Sequence, residues 1–312
     1  MDALIFSLNT TVPVFLLMVF GYILKQTGFI NDEFIRVSNK VNFKITLPCL
    51  LFLDIYDADI THNFDLRFVA FCAIVTTIAF FAIWGIARVS LRDKSMVGAF
   101  VQASYRSSAA VLGAALIENI YGDSGMAPLM IIGAVPLFNI YAVLVLCRSS
   151  TEREERSVRG TLKNVFTNPI ILAILAGLIY TALPFGLPTI ARTSLSYLSR
   201  TATPLAVLAI GGSFEGRKAL AKIKPTMAAA AIKLAILPAI FLPVAVWMGF
   251  TGSKLVAILI MLGSPTTPSC YIMAKNMHND DVLTSSIIMV TTVLSAFSLT
   301  VILYILRSMG LV

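Results

Sequence analysis

Two short polar runs interrupt otherwise apolar stretches of this chain. One reads Arg106-Ser107-Ser108-Ala109-Ala110-Val111-Leu112-Gly113, the other Gly263-Ser264-Pro265-Thr266-Thr267-Pro268-Ser269. The second is the strongest helix-breaking run in the sequence, because two prolines remove two N–H donors and disfavour helix in the residues before them. The first has no proline, only small and polar residues beside an arginine. A break in a helix leaves amide groups unpaired and turns the positive end of a half-helix toward the gap. Two such ends aimed at one point, with the Arg106 guanidinium beside them, suit a carboxylate. The hydroxyls of Ser107, Ser108, Ser264, Thr266, Thr267 and Ser269 are of the type to orient it. The candidate substrate-binding set is therefore Arg106, Ser107, Ser108, Gly113, Gly263, Ser264, Pro265, Thr266, Thr267 and Ser269.

A plainer reading competes for each residue. Serine and threonine bond back to their own helix, and prolines often only kink one. Arg106 has the alternative of snorkelling to the inner surface, about ten residues away. A charge inside a span is nonetheless functional by default, because burying it is costly. Lys233, in AAAIKLAILP, lies nearer a span end and is read as snorkelling. Glu118 is read as solvated near the outer end.

The elements that would position these runs follow from composition. Of 312 residues, 58% are hydrophobic and 13% charged, with a mean hydropathy of +0.87. Soluble domains are about 45–50% apolar and about 25% charged, so the chain belongs to a membrane class. Ten segments have the apolar length a spanning helix needs: Ile5–Leu24, Ile35–Leu53, Phe68–Ala87, Met96–Ile120 and Ala127–Leu146, then Leu162–Leu183, Leu195–Phe214, Thr226–Phe250, Leu255–Lys275 and Leu283–Leu306. Asn39, Lys40, Asn42 and Lys44 load the first half of the second segment and are expected to snorkel or to face other helices. With the first residue placed outside, 17 of the 24 lysines and arginines fall on inner connections and five on outer ones. That asymmetry predicts both termini outside the cytoplasm of a multi-pass protein of the cell membrane. The acidic residues Asp54, Asp57, Asp59 and Asp65 then fall on the outer side. The net charge of +8 marks inner loops rather than nucleic-acid binding.

The chain also repeats itself. Pro13 and Pro169, Gly21 and Gly177, and Pro48 and Pro204 are each 156 residues apart, half the chain. The strings VPVFLLMVFGYIL and NPIILAILAGLIY agree around the first two pairs. The reading is an all-α integral membrane fold of ten transmembrane helices, with a first five-helix repeat (1–147), a cytoplasmic linker (148–160) and a second five-helix repeat (161–312). Five is odd, so the halves enter the membrane from opposite sides as an inverted repeat, the plan of many secondary transporters. Helices four and nine are the broken, crossing pair.

Other chemistries find little support. Cys49, Cys72, Cys147 and Cys270 form no CxxC pair, and His62 and His278 lie far apart in polar connections, so neither metal nor cofactor is expected. GGSFEGRK (Gly211–Lys218) lacks the GK[ST] ending of a nucleotide-binding loop. The run TEREERSVRG (Thr151–Gly160) is a solvated loop. No HExxH and no paired intramembrane aspartates suggest an enzyme.

Six strings carry a family resemblance that runs nearly end to end: ITLPCLLF (Ile45–Phe52), VPLFNIYAV (Val135–Val143), TNPIILAILAGL (Thr167–Leu178), TPLAVLAIGGSF (Thr203–Phe214), SPTTPSCYIMA (Ser264–Ala274) and TTVLSAFSLT (Thr291–Thr300). They resemble the auxin efflux carrier family, whose bacterial members include malonate- and malate-type permeases. The resemblance implies a homodimer, with spans one, two, six and seven as scaffold. Spans three to five and eight to ten would move as an elevator, and an organic anion would bind where spans four and nine cross. Where the family has Arg-x-Asn and Gly-x-Pro, this chain keeps Arg106 and Gly113 but has Ser108 and Ala115. Ser269 takes an Asn-like position. Cys72 and Thr76 stand where plant members carry an Asp and a Lys. The resemblance therefore carries over neither a substrate nor a proton or sodium site. The expectation is a secondary transporter of small organic anions, driven by the membrane potential or by a coupling ion, proton or sodium. The alternatives are a sodium- or proton-coupled carrier of another solute on the same fold, and a non-transporting membrane protein.

Overall fold

The computed structural model describes residues 2–58, 64–109, 116–118, 120–122, 125–152, 165–181, 183 and 186–312. Among these, every regular element is helical. Helices α1 (Asp2–Gln26), α2 (Asp32–Val41), α3 (Leu47–Tyr56), α4 (Leu66–Ser90), α5 (Val97–Tyr105) and α6 (Ala127–Ser149) make up the first half. The second half holds α7 (Pro169–Thr181), α8 (Thr189–Gly212), α9 (Gly216–Ala221), α10 (Ile223–Ala231), α11 (Leu237–Trp247), α12 (Gly252–Gly263), α13 (Ser269–Asn276) and α14 (Asp281–Ser308).

Local chemistry sets several boundaries. Asn31 caps α2 by accepting from Phe34 N at 2.8 Å, and Asp65 caps α4 by accepting from Phe68 N at 3.0 Å, each satisfying a first-turn amide that has no helical partner. Lys254 reaches the same Asp65 carboxylate at 2.6 Å. Its hydrogen bond, added to those from backbone amides, holds the Asp65 carboxyl below the usual carboxylate range. Helices α2 and α3 run on through a π-helical turn, Asn42–Thr46, and α10 and α11 through another, Ile232–Ile236. Each turn stands just before a Leu-Pro pair. Pro48 and Pro238 donate no hydrogen bond and their rings crowd the carbonyl four residues back. The helix widens instead, and Leu47 and Leu237 donate five residues back, to Asn42 O and Ile232 O.

Among the described residues, four helical stretches are long and apolar enough to cross a bilayer: Leu66–Ser90, Ala127–Ser149, Ile223–Trp247 and Asp281–Ser308. Apolar side chains also cover much of the outside; Val89, Ile190 and Trp247 are 86%, 84% and 86% exposed. In water such a coat would be an aggregation liability, and in hydrocarbon it is the expected surface. The polar load of the second span divides as anticipated. Lys40 and Lys44 are exposed, while Asn39 and Asn42 are buried against other helices. Asn42 donates to Ala202 O at 2.8 Å and accepts from Thr46 at 2.7 Å.

Two glycines fix the closest helix packing. A methyl group on Gly21 would sit 2.3 Å from Leu208 O, and one on Gly211 only 1.9 Å from Met18 O. Helices α1 and α8 thus pack backbone to backbone, as small residues allow within a membrane. On α7, Gly177 faces Phe52 O of α3, where a methyl would come to 3.0 Å.

Candidate functional site

The two polar runs break their helices and meet. Helix α5 stops at Tyr105, and Arg106 leaves it in an extended conformation (φ −75°, ψ 137°). Helix α12 stops at Gly263, and Ser264 does the same (φ −74°, ψ 161°). Ser108 N donates to Pro265 O at 3.0 Å across the gap. Each break then supplies a hydroxyl that covers a carbonyl exposed by the other. Ser107 Oγ donates to Met261 O at 2.6 Å, and Thr266 Oγ1 donates to Ala103 O at 2.7 Å. Thr266 N is taken up by Thr291 Oγ1 at 3.1 Å. The last carbonyls of a helix have no partner within it, and this reciprocal stitching supplies some from outside.

Arg106 does not snorkel. It is 2% exposed. Its Nη2 donates to Asn139 Oδ1 at 2.9 Å and to Ser269 Oγ at 3.1 Å, and its Nη1 points at Met273 Sδ at 2.8 Å. The Nε–H has no partner. Among the described residues no carboxylate lies within ion-pair distance of it. A buried cation normally has a counter-charge, since the Coulombic gain is what offsets desolvation. Here a thioether, an amide oxygen and a hydroxyl stand in that place.

Beside Arg106 lies a cavity of about 60 Å³. Its wall includes Arg106, Ser107, Ser108 and Ala109 at the first break, Thr267, Pro268 and Ser269 at the start of α13, and Phe138 and Asn139 from α6. Asn42 of the π turn, Leu50, Leu51 and Asp54 of α3, and Thr203 and Ala206 of α8 close the opposite side. The structure thus brings Arg106, Ser107, Ser108, Thr267 and Ser269 of the sequence set to one space. Gly263, Ser264, Pro265 and Thr266 do not line it; they form the crossing behind it. Gly113 lies outside the described residues.

Three readings need correction. Ser107 and Thr266 spend their protons on backbone carbonyls, so neither is a free donor for a ligand. Asp54, placed by sequence with the outer acidic residues, lines the cavity. Lys233, read as snorkelling, is wholly buried: its ammonium donates to Tyr105 O at 3.1 Å and Met261 O at 3.3 Å. The π turn that carries it directs it inward. Asn139 and Asn42 were also missed. Both sit on faces that only the packing of distant helices brings to the cavity, although the Pro136 and Pro48 nearby were visible signs of irregular helix.

Residues 6–303 match a family model described as membrane transport protein. An uncharacterized transporter of Methanothermobacter thermautotrophicus is 26% identical over 301 residues, covering 94% of this chain and 96% of its own length. An uncharacterized transporter of Methanocaldococcus jannaschii is 22% identical over 299 residues, covering 92% and 95%. With a match that takes in nearly the whole chain, helices fit to cross a bilayer and two breaks joined around a buried guanidinium, the protein belongs to this family of multi-pass membrane transporters, the auxin efflux carrier family.

Proposed function

We propose that the chain is a secondary transporter of small organic anions, carboxylates above all, which bind in the cavity beside Arg106. The observation that carries this reading is the guanidinium itself: buried, held by neutral groups, with its Nε–H left over and, among the described residues, no acid paired to it. An incoming carboxylate would supply the missing counter-charge and form a charge-assisted hydrogen bond. Ser108, Thr267 and Ser269 would add contacts, with the first turn of α13 directing its positive end toward the anion. Ser107, Gly263, Ser264, Pro265 and Thr266 would then shape the site rather than touch the ligand. A cavity of about 60 Å³ is far below the roughly 300–1,000 Å³ of sites for drug-sized ligands, which favours anions of malonate or malate size over indole-acetate.

The five-plus-five inverted repeat, with both termini outside the plasma membrane, is part of this proposal. The glycine contacts support it. Gly21 meets Leu208, and Gly177 meets Phe52. The two glycines are 156 residues apart, and so are their two partners, as a pseudo-two-fold relation between halves requires. Elevator motion in a homodimer is the dynamic counterpart. The cavity supports it by lying between the Asn42–Thr46 turn, α3 and α8 on one side and the break after α5, together with α6 and α13, on the other, so sliding one group against the other would carry a bound anion. The test is uptake of labelled malate, malonate and indole-acetate into liposomes holding the purified protein, with and without an imposed potential. Saturable uptake of the smaller anions, competed by one another, is expected. No uptake of any of them by folded protein would remove the anion reading.

A further inference from the structure

The second buried cation has a different setting. Lys233 is 0% exposed, and its ammonium touches two backbone carbonyls, Tyr105 O at the end of α5 and Met261 O near the end of α12. Those are the carboxyl-terminal ends of the two interrupted half-helices. Among the described residues no carboxylate is within ion-pair distance of it. A helix end carries roughly half a negative charge, so two ends converging on one point present about one unit, matched by one ammonium. Unwound backbone carbonyls and half-helix carboxyl ends are also the groups that coordinate a coupling cation in broken-helix transporters. In this chain a cation on a covalent stem already occupies that position.

We propose that Lys233 is the resident cation of the crossing: a positioning residue that neutralises both half-helix ends and fixes Arg106, the residue directly after Tyr105, in the place of a free metal cation. Removing the ammonium takes the Lys233 donor from Tyr105 O, leaves Met261 O with Ser107 Oγ alone, and leaves two carbonyl-rich ends facing each other without a counter-charge. The crossing then loosens, and Arg106 loses its register on Asn139 and Ser269. The proposal rests on the transport reading only for its link to uptake; the cation's structural role stands apart from what is carried.

The experiment uses the full chain purified in detergent, with melting temperature as the readout, so that it does not depend on the transported anion. The wild type is expected to melt at one temperature in sodium, potassium and choline chloride of equal ionic strength. Lys233→Met, which keeps an apolar stem and loses the charge, is expected to melt several degrees lower. Lys233→Ala is expected to melt lower still and to regain much of the loss in n-propylammonium, which replaces the deleted atoms and the charge, but not in n-propanol. Uptake by Lys233→Met is expected to fall at least tenfold if the wild type carries an anion. Specific stabilisation of the wild type by sodium would overturn the proposal, as would variants that melt like the wild type, or equal effects of propylammonium and propanol. If Lys233→Ala does not fold, Lys233→Met and the wild-type salt series still decide. A wild type that takes up none of the anions but shows the propylammonium response would sink the anion reading and keep this one.

Discussion

Arg106 and Lys233 flank one crossing, yet their surroundings differ in kind. Lys233 points its charge at two backbone carbonyls, Tyr105 O and Met261 O, the second of which it shares with Ser107 Oγ. Arg106 is held by side chains, Asn139, Ser269 and Met273, that place the guanidinium without neutralising it, and its Nε–H stays unspent. Both cations are costly to bury. One of them offsets that cost within the fold, by closing the break. The other leaves it partly open at the edge of a cavity, where the proposed carboxylate would complete it. A buried charge thus reads as structural or as ligand-seeking according to what its partners leave unsatisfied.

The largest predicted effect breaks the ligand side of this pair. Arg106→Ala should lower uptake by about 30-fold or more, the scale of losing one partner of a buried charge interaction of about 2–5 kcal/mol, while its melting temperature changes little. Arg106→Lys should recover only part, since a point charge cannot reproduce the fork that Asn139 and Ser269 hold. Initial rates in liposomes beside melting curves separate the two effects. Lys233→Met should show the reverse balance, with stability lost first. Tyr105 O loses its Lys233 donor, at about 1–3 kcal/mol for a buried unsatisfied carbonyl, while Met261 O keeps Ser107 Oγ.

Asn139→Ala comes next. It removes the Oδ1 that orients Arg106, about 1.5–3 kcal/mol for a hydrogen bond to a charged group. Uptake should require higher substrate concentration, and the variant should stay folded. The smallest effect lies far from both cations. The Asp65 carboxyl is held low by Lys254 and by the amides of α4. Its contribution to stability is therefore present above the ordinary aspartate range and is lost as pH falls through the lowered value. Asp65→Asn should remove that acid-side loss and, as a half-buried pair at the surface, cost about 1 kcal/mol at neutral pH. Melting curves of both proteins between neutral pH and acid check the sign. A variant with the same acid dependence as the wild type would detach Asp65 from the effect.

Much of this site was legible because breaking a helix has a local code. Pro265 and Pro268 announced the interruption between α12 and α13, and the 156-residue offset pointed from Pro265 to Ala109, beside the break at Arg106–Ser108. What the sequence hides is how the hydroxyls divide their work. Ser107 and Thr266 look like ligand groups, and become stitches because each faces a carbonyl from the other half of the chain, more than 150 residues away. Lys233 looked close enough to a span end to reach water. A π turn forced by Pro238 and the convergence of two half-helices turn it inward. Asp54 and Asn139 reach the cavity through tertiary packing, which no local periodicity encodes. The all-helical membrane class followed from hydropathy, and the starts of α2 and α4 moved a few residues earlier where the caps Asn31 and Asp65 extend a helix past its apolar core.

The central claim, that Arg106 is the open position of a carboxylate site, is tested most directly by equilibrium binding of labelled malonate and malate to the purified wild type and to Arg106→Gln, which keeps a polar side chain and removes the charge. Saturable binding to the wild type, competed by the other carboxylate and lost in the variant, is the predicted result. Binding that is the same in both proteins, or absent from both while each remains folded, would contradict it.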